Sequence, residues 1–99
     1  MPRPPNTSAQ TRAVLLALLE LHPAWTHGYD LSKTTRLRSG TLYPILRRLN
    51  EQGLLEARWE ESAAVGRPPR HIYQLTPGGL ELARARRSSA ALFAWEALA

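Results

Sequence analysis

The chain contains no cysteine and a single lysine. Without cysteine it can form no disulfide, no thiolate nucleophile and no zinc knuckle. It also has no long apolar run, because its densest apolar segment, AVLLALLEL, is far shorter than the roughly 20 residues that span a bilayer. The N-terminal MPRPPNTS lacks the apolar stretch of a signal peptide or an anchor. We therefore expect a soluble, cytoplasmic protein with no membrane partner.

Arginine is abundant where lysine is scarce. Twelve of the thirteen basic residues are arginine, and the formal net charge is +5. Because the planar guanidinium pairs well with phosphates and with guanine edges, this bias favours a nucleic-acid partner. A solvated basic surface would have the same composition, so the motifs must distinguish the two.

The first predicted helix starts near Thr7 or Ser8, either of which can cap it, and ends before the proline at position 23. Its apolar residues surround most of the cylinder, which predicts contacts on more than one side. Two arrangements fit this pattern: a helix central to its own core, or one that faces the core and a second subunit. In the second arrangement Leu15, Leu18 and Leu19 belong to a dimer interface.

The next segments follow the helix-turn-helix pattern. A short strand at Trp25 and Thr26 precedes a brief helix in HGYDLSKTT, and the loop RLRS leads into a longer helix that Gly53 ends. Four apolar residues of the longer helix recur at the spacing of one buried face: Leu42, Ile45, Leu46 and Leu49. Because Pro44 lacks an N–H, we expect this helix to start near Thr41 or to have a loosened first turn.

The opposite face of that helix suits DNA. Gly40 and Pro44 carry little bulk, so the N-terminal half can approach another surface closely, and Arg47 projects from the middle of the face. Tyr43 and Arg48 flank them. The free N–H groups at the helix N-terminus attract phosphate. The pattern predicts a recognition helix in the major groove, with a solvated basic face as the alternative.

Two strand patterns, LLEARWEE and RHIYQLT, enclose the basic loop SAAVGRPPR, which completes a winged helix. Arg67 and Arg70 suit the negative potential of a narrow minor groove. Thr76 is expected to cap a last helix that starts at Pro77. Four apolar residues near its end share no face: Leu92, Phe93, Trp95 and Leu98. They predict a dimerisation element, because exposed they would form a large apolar patch. The alternative is a helix folded back on its own domain.

The predicted fold is mainly α with a small β-wing. We divide it into a flexible tail over residues 1–8, a winged helix-turn-helix domain over 9–76 and a C-terminal dimerisation helix over 77–99. Catalytic patterns are missing: His22, His27 and His71 lack the spacing of metal ligands, and there is no glycine-rich phosphate loop. We expect neither an enzyme nor a metal or other cofactor.

Three stretches together resemble the PadR family of bacterial transcriptional regulators: HGYDLSKTT, SGTLYPILRRLNEQGLLEARWEE and GRPPRHIYQLTPGGLELA. The resemblance implies a homodimeric winged-helix repressor that binds a palindromic operator in double-stranded DNA. It implies that the recognition helix opens with Ser39, Gly40, Thr41, Tyr43 and Pro44. It also places on the DNA side Tyr29, Arg47, Arg67 and Arg70.

Many members of that family respond to small phenolic or aromatic ligands, sometimes in an apolar cavity at the dimer interface. The resemblance therefore implies a repressor that such an effector relieves, and Phe93 and Trp95 are the candidate walls of the cavity. The chain departs from many members in its short link between the second and third helices. The alternative function is a winged helix that contacts proteins or senses ligands without binding an operator.

Overall fold

The structure, a computed structural model, describes residues 8–60, 66 and 69–98, and the side chains among them up to residue 88. Within these residues it has four helices and three strands: α1 (Ala9–Leu21), β1 (Thr26–His27), α2 (Gly28–Thr35), α3 (Ser39–Glu51), β2 (Leu55–Glu60), β3 (Arg70–Leu75) and α4 (Pro77–Leu98). The strands form one antiparallel sheet in the order β1-β3-β2. The predicted winged helix-turn-helix is thus confirmed.

Helix α1 lies at the centre of the fold. Ser8 caps it as predicted, because its hydroxyl accepts a hydrogen bond from the Thr11 N–H at 3.1 Å. Helices α2, α3 and α4 and strand β3 all contact α1. Leu15 and Leu18 are consequently buried in the chain's own core, whereas Leu19 is half-buried. This burial corrects the interface predicted for Leu15 and Leu18, since neither side chain reaches the surface.

The link between α2 and α3 is a compact turn. Arg36 adopts the left-handed conformation, with φ of 60°, and reverses the chain after α2. The Ser32 hydroxyl donates a hydrogen bond to the Leu37 carbonyl at 2.6 Å, and the Leu37 side chain packs against the core. Three residues are therefore enough to connect the two helices of the helix-turn-helix, α2 and α3.

Helix α3 begins two residues before the predicted Thr41. The N–H groups of Thr41 and Leu42 both donate to the Arg38 carbonyl at 2.9 Å, so Ser39 is the first helical residue. Pro44 therefore lies inside the helix and cannot donate to the Gly40 carbonyl. Gly40 is exposed, which lets water satisfy that carbonyl.

The core is built on the predicted face of α3. The four residues proposed from their spacing are all at most 6% exposed: Leu42, Ile45, Leu46 and Leu49. Gly53 follows the helix with φ of 73°, a conformation that ends it as predicted. The anchored face fixes the rotation of α3 about its axis, and so fixes which residues face solvent.

The sheet is fastened to the segment before α2. Thr26 pairs with Tyr73, and the strand begins there instead of at the predicted Trp25. On the outer side of the sheet the Arg58 guanidinium lies 4.6 Å from the centre of the Trp25 ring. Further along the same side His27 Nε2 lies 2.9 Å from Glu60 Oε1. These contacts join β1 to β2 across the central strand.

Helix α4 starts as predicted, with the Thr76 hydroxyl accepting a hydrogen bond from the Gly79 N–H at 3.1 Å. Ala83 is fully buried in the core, and α4 contacts α1 of the same chain. The beginning of α4 therefore belongs to the chain's own core. The side chains of four predicted interface residues lie outside the described set: Leu92, Phe93, Trp95 and Leu98. Among the described residues, no helix is both long and apolar enough to cross a membrane.

Candidate nucleic-acid interface

The solvent face of α3 brings together most of the residues predicted for DNA binding. Five of them are exposed on it or at its edges: Gly40, Tyr43, Pro44, Arg47 and Arg48. Ser39 is exposed at the start of the helix, and Thr41 is half-buried. Because the opposite face of α3 packs in the core, the side chains of Arg47 and Arg48 point away from the domain.

The start of α2 adds a second phenol beside this face. Tyr29 is 65% exposed, and the Lys33 ammonium lies 5.1 Å from the centre of its ring. Tyr43, from α3, covers the backbone of Gly28: a Cβ at that position would lie 2.7 Å from the Tyr43 hydroxyl oxygen. Two phenols and an ammonium group therefore lie where the N-terminal ends of α2 and α3 meet.

A groove separates α3 from the sheet. One part, of about 520 Å³, is lined by Tyr29 and Tyr43 on the helical side and by Trp59, Arg70 and His71 on the sheet side. A second part, of about 470 Å³, continues along α3 and shares two of these residues. Arg70 is thus one of the residues that line the groove, whereas Arg67 lies outside the described residues.

Trp59 and His71 were not among the predicted site residues. They pair in the β2–β3 register, and their ring centroids lie 3.7 Å apart with the ring planes tilted by 36°. Tyr73 follows on the same side of β3, with its ring edge-on to His71. The alternation of side chains along β2 and β3 indicates which face of the sheet each ring occupies. Only the register of the two strands shows that the two rings lie side by side.

Two carboxylates lie beside the groove. Both contact the His27 ring, with Glu60 at 2.9 Å and Asp30 at 3.6 Å, and His27 is one of the residues that line the groove. Glu51 lies at the opposite end of α3 from Tyr43. The rest of this surface carries arginine and lysine, so its charge suits a polyanion. In the part of the chain that the structure describes, no group of His, Asp and Glu side chains could hold a metal ion.

Tyr73 forms the floor of the groove. Burial raises the pKa of its phenol, and the neighbouring Tyr43 phenol raises that pKa further. The folded chain therefore holds this proton more tightly than the unfolded chain does. The stabilisation that results from the raised pKa of Tyr73 is fully present below a pH of about 10. It is lost as the pH rises through the pKa of this phenol in the folded chain.

We predict that Tyr73→Phe weakens this alkaline loss of stability. Urea unfolding should show a free energy of unfolding that falls less steeply above pH of about 10 in the variant than in the wild type. Tyr29→Phe is the matched control, since that phenol is mostly exposed. Identical alkaline slopes for Tyr73→Phe and the wild type would contradict the prediction.

The fold and this surface define a winged-helix protein. The chain belongs to the transcriptional regulator PadR-like family, whose sequence profile matches residues 15–85. The members of this family are transcriptional regulators and not enzymes, which is the class that the sequence predicts for this chain.

Individual relatives agree with this assignment. The chain is 41% identical over 66 residues to transcriptional regulator Rv3488 of Mycobacterium tuberculosis, a match that covers 61% of the chain and 53% of that protein. The chain thus spans about half the length of this curated relative. A PadR-like transcription factor from Bacteroides fragilis superimposes with a TM-score of 0.70 at 29% identity, covering 89% of this chain and 88% of that one. MepR of Staphylococcus aureus shares the fold alone, with a TM-score of 0.75 at 17% identity over 94% of this chain and 65% of its own.

Proposed function

We propose that the chain is a sequence-specific DNA-binding repressor that acts in the cytoplasm as a homodimer. The observation that carries this proposal is the solvent face of α3, where small residues, a phenol and two arginines are held in a fixed orientation by a fully packed opposite face. An operator-binding repressor needs such a low, basic helix face to enter the major groove. The fold is also that of MepR, which is known in a DNA-binding conformation.

Each residue of the surface has a role in this proposal. Arg47 contacts base edges or phosphate in the major groove, and Arg48 adds charge beside it. The hydroxyl groups of Tyr29, Thr41 and Tyr43 contact phosphates. Arg67 and Arg70 place the wing at the minor groove. Phosphate contacts give affinity and orientation, whereas base contacts by Arg47 give specificity.

Dimerisation follows from the apolar end of α4 in the sequence. We propose that four residues there contact the partner subunit together with the half-buried Leu19 of α1: Leu92, Phe93, Trp95 and Leu98. Each subunit then binds one half of a palindrome, with the half-sites about 10 base pairs apart or a multiple of that distance.

Selection of bound sequences from a random pool of DNA tests the proposal. We expect enrichment of a palindrome, and a steep loss of affinity with rising salt because arginine–phosphate contacts release counterions. A chain that binds no double-stranded DNA even at low salt would refute operator binding and favour the protein-contact alternative. Enrichment of an asymmetric single site would refute the homodimer alone.

Relief by a small aromatic or phenolic ligand is the remaining part of the proposal, and it rests on the family resemblance. Phe93 and Trp95 are the proposed walls of its cavity. A planar aromatic compound should quench tryptophan fluorescence and release the operator, and both effects should be weaker in a Trp95→Ala variant. Quenching that Trp95→Ala leaves unchanged would remove Trp95 from the site.

Gly28→Ala should lower DNA affinity without unfolding the chain. The new Cβ would lie 2.7 Å from the Tyr43 hydroxyl oxygen and 3.1 Å from two ring carbons. Because the Tyr43 ring is 46% exposed, it can swing into solvent, at a cost to stability of less than about 1 kcal/mol. The phenol would then leave the position that faces phosphate, and we expect a loss of affinity of about fivefold, as for one phosphate contact.

A double-mutant cycle with Tyr43→Ala checks this mechanism. If Gly28 acts through the phenol, Gly28→Ala should cost nothing more in a chain that already lacks Tyr43. Equal further losses in both backgrounds would show that Gly28 matters for another reason.

A further inference from the structure

We propose that the groove between α3 and the sheet holds one sugar–phosphate strand of double-stranded DNA, and that Trp59 and His71 contact this strand. The proposal rests on the DNA-binding function proposed above and adds two residues to its interface. Neither side chain is assigned any role by the sequence patterns or by the comparisons.

The argument starts from the geometry of the duplex. The major and minor grooves of B-DNA are neighbours, separated by a single sugar–phosphate strand. When α3 enters the major groove and the wing reaches the adjacent minor groove, the strand between them must cross the space between α3 and the wing. In this chain that space is the groove of about 520 Å³ with Tyr43 on its helical side and Trp59 and His71 on its sheet side.

The lining suits a sugar–phosphate strand. Trp59 is 65% exposed, and its ring centroid lies 3.7 Å from that of His71 with the two ring planes tilted by 36°, so the exposed indole offers an apolar surface against which a deoxyribose ring can pack. Tyr29, Tyr43 and Arg70 line the same groove, and the hydroxyl groups of the two tyrosines can donate hydrogen bonds to phosphate oxygens. Because side chains alternate along β3, the Arg70 side chain leaves the strand on the side opposite to His71, so the two phenols are the donors beside the Trp59 ring.

Two carboxylates lie beside this groove. Glu60 Oε1 is 2.9 Å from His27 Nε2, and Asp30 Oδ2 is 3.6 Å from His27 Nδ1. Because His27 is one of the lining residues, a phosphate of the strand is expected to lie toward the Tyr29 and Tyr43 hydroxyl groups and away from His27.

Trp59→Ala tests the contact, and Trp25→Ala is its matched control. Trp25 packs on Arg58, which faces the side of the sheet opposite to Trp59, so its removal takes away the same ring outside the groove. We expect Trp59→Ala and His71→Ala each to lower the affinity for DNA by about tenfold, by the same factor for operator and random sequences, since backbone contacts carry no sequence information. Trp25→Ala, folded as judged by thermal unfolding, should bind DNA as the wild type does.

Fluorescence gives a second readout that does not depend on folding of an alanine variant. A Trp25→Phe/Trp95→Phe chain keeps Trp59 as its only tryptophan, and its emission should change when operator DNA is added. Wild-type affinity in Trp59→Ala, or unchanged emission in a chain that binds the operator, would overturn the groove assignment and leave the proposed function standing. A loss confined to the operator sequence would make Trp59 a base contact and overturn the assignment to the backbone. A wild-type chain that binds no DNA at low salt would overturn both proposals.

Discussion

Replacing Gly79 with alanine should destabilise the chain by about 3 kcal/mol, the upper part of the usual range for overpacked sites. A Cβ at Gly79 would lie 1.9 Å from the carbonyl oxygen of Leu54 and 3.1 Å from a methyl group of Leu75. The oxygen cannot simply move, because it accepts a hydrogen bond from the Thr76 N–H at the start of α4. Relief therefore requires α4 to shift away from the turn after α3.

Gly78→Ala is the matched control for this prediction. Gly78 is the preceding residue of the same helical turn, and a Cβ there would meet nothing closer than 3.8 Å. Alanine is favoured over glycine in helices by about 1 kcal/mol, so Gly78→Ala should leave stability unchanged or raise it slightly. Urea unfolding of the two variants and the wild type measures both effects. Equal midpoints for Gly78→Ala and Gly79→Ala would show that the approach of Leu54 is looser than the structure indicates.

Arg47→Ala should weaken operator binding by about 2 kcal/mol, roughly thirtyfold, if its guanidinium pairs with a guanine edge. Arg47 is exposed on the face of α3 opposite to its buried core residues, so its removal should not change the unfolding midpoint. Affinity for random DNA should fall much less, because only sequence-independent charge is lost there.

The comparison of operator and random DNA separates the two possible roles of Arg47. If Arg47 contacts phosphate, Arg47→Ala should lower the affinity for operator and for random DNA by the same factor. The salt dependence of binding should then correspond to about one counterion fewer. Arg84→Ala serves as the control for net charge, since Arg84 is exposed on α4 and away from the proposed interface. Affinities should be measured at several salt concentrations for all three chains.

Much of the helix-turn-helix could be predicted because its signals are local. Four apolar residues at helical spacing define the buried face of α3. The opposite face, which carries Arg47, is then known to face solvent. Ser8 and Thr76 cap the helices that they precede, as their side-chain chemistry predicts. Such features depend on a few neighbouring residues, so one sequence is enough to find them.

Features that depend on contacts between distant segments were missed or left open. A helix that is apolar all round can be a core helix or an interface, and only the packing of the other helices and of β3 around α1 shows that Leu15 and Leu18 are core residues. The pairing of Trp59 with His71 depends on a register that the strand patterns do not determine. The requirement for glycine at position 79 also depends on a distant segment, because a Cβ there would overlap the Leu54 carbonyl oxygen.

The ties between β1 and β2 have a consequence for how such a protein can change. Glu60 and Arg70 still pair at the end of the β2–β3 ladder, and His27 holds Glu60 from the other edge of the sheet. The direction in which the strands leave the body is therefore set before the connecting segment begins. We therefore expect changes in the length or sequence of that segment to leave the helices undisturbed. The chain would in this sense be modular, because the segment between β2 and β3 and the solvent face of α3 could vary independently of one another.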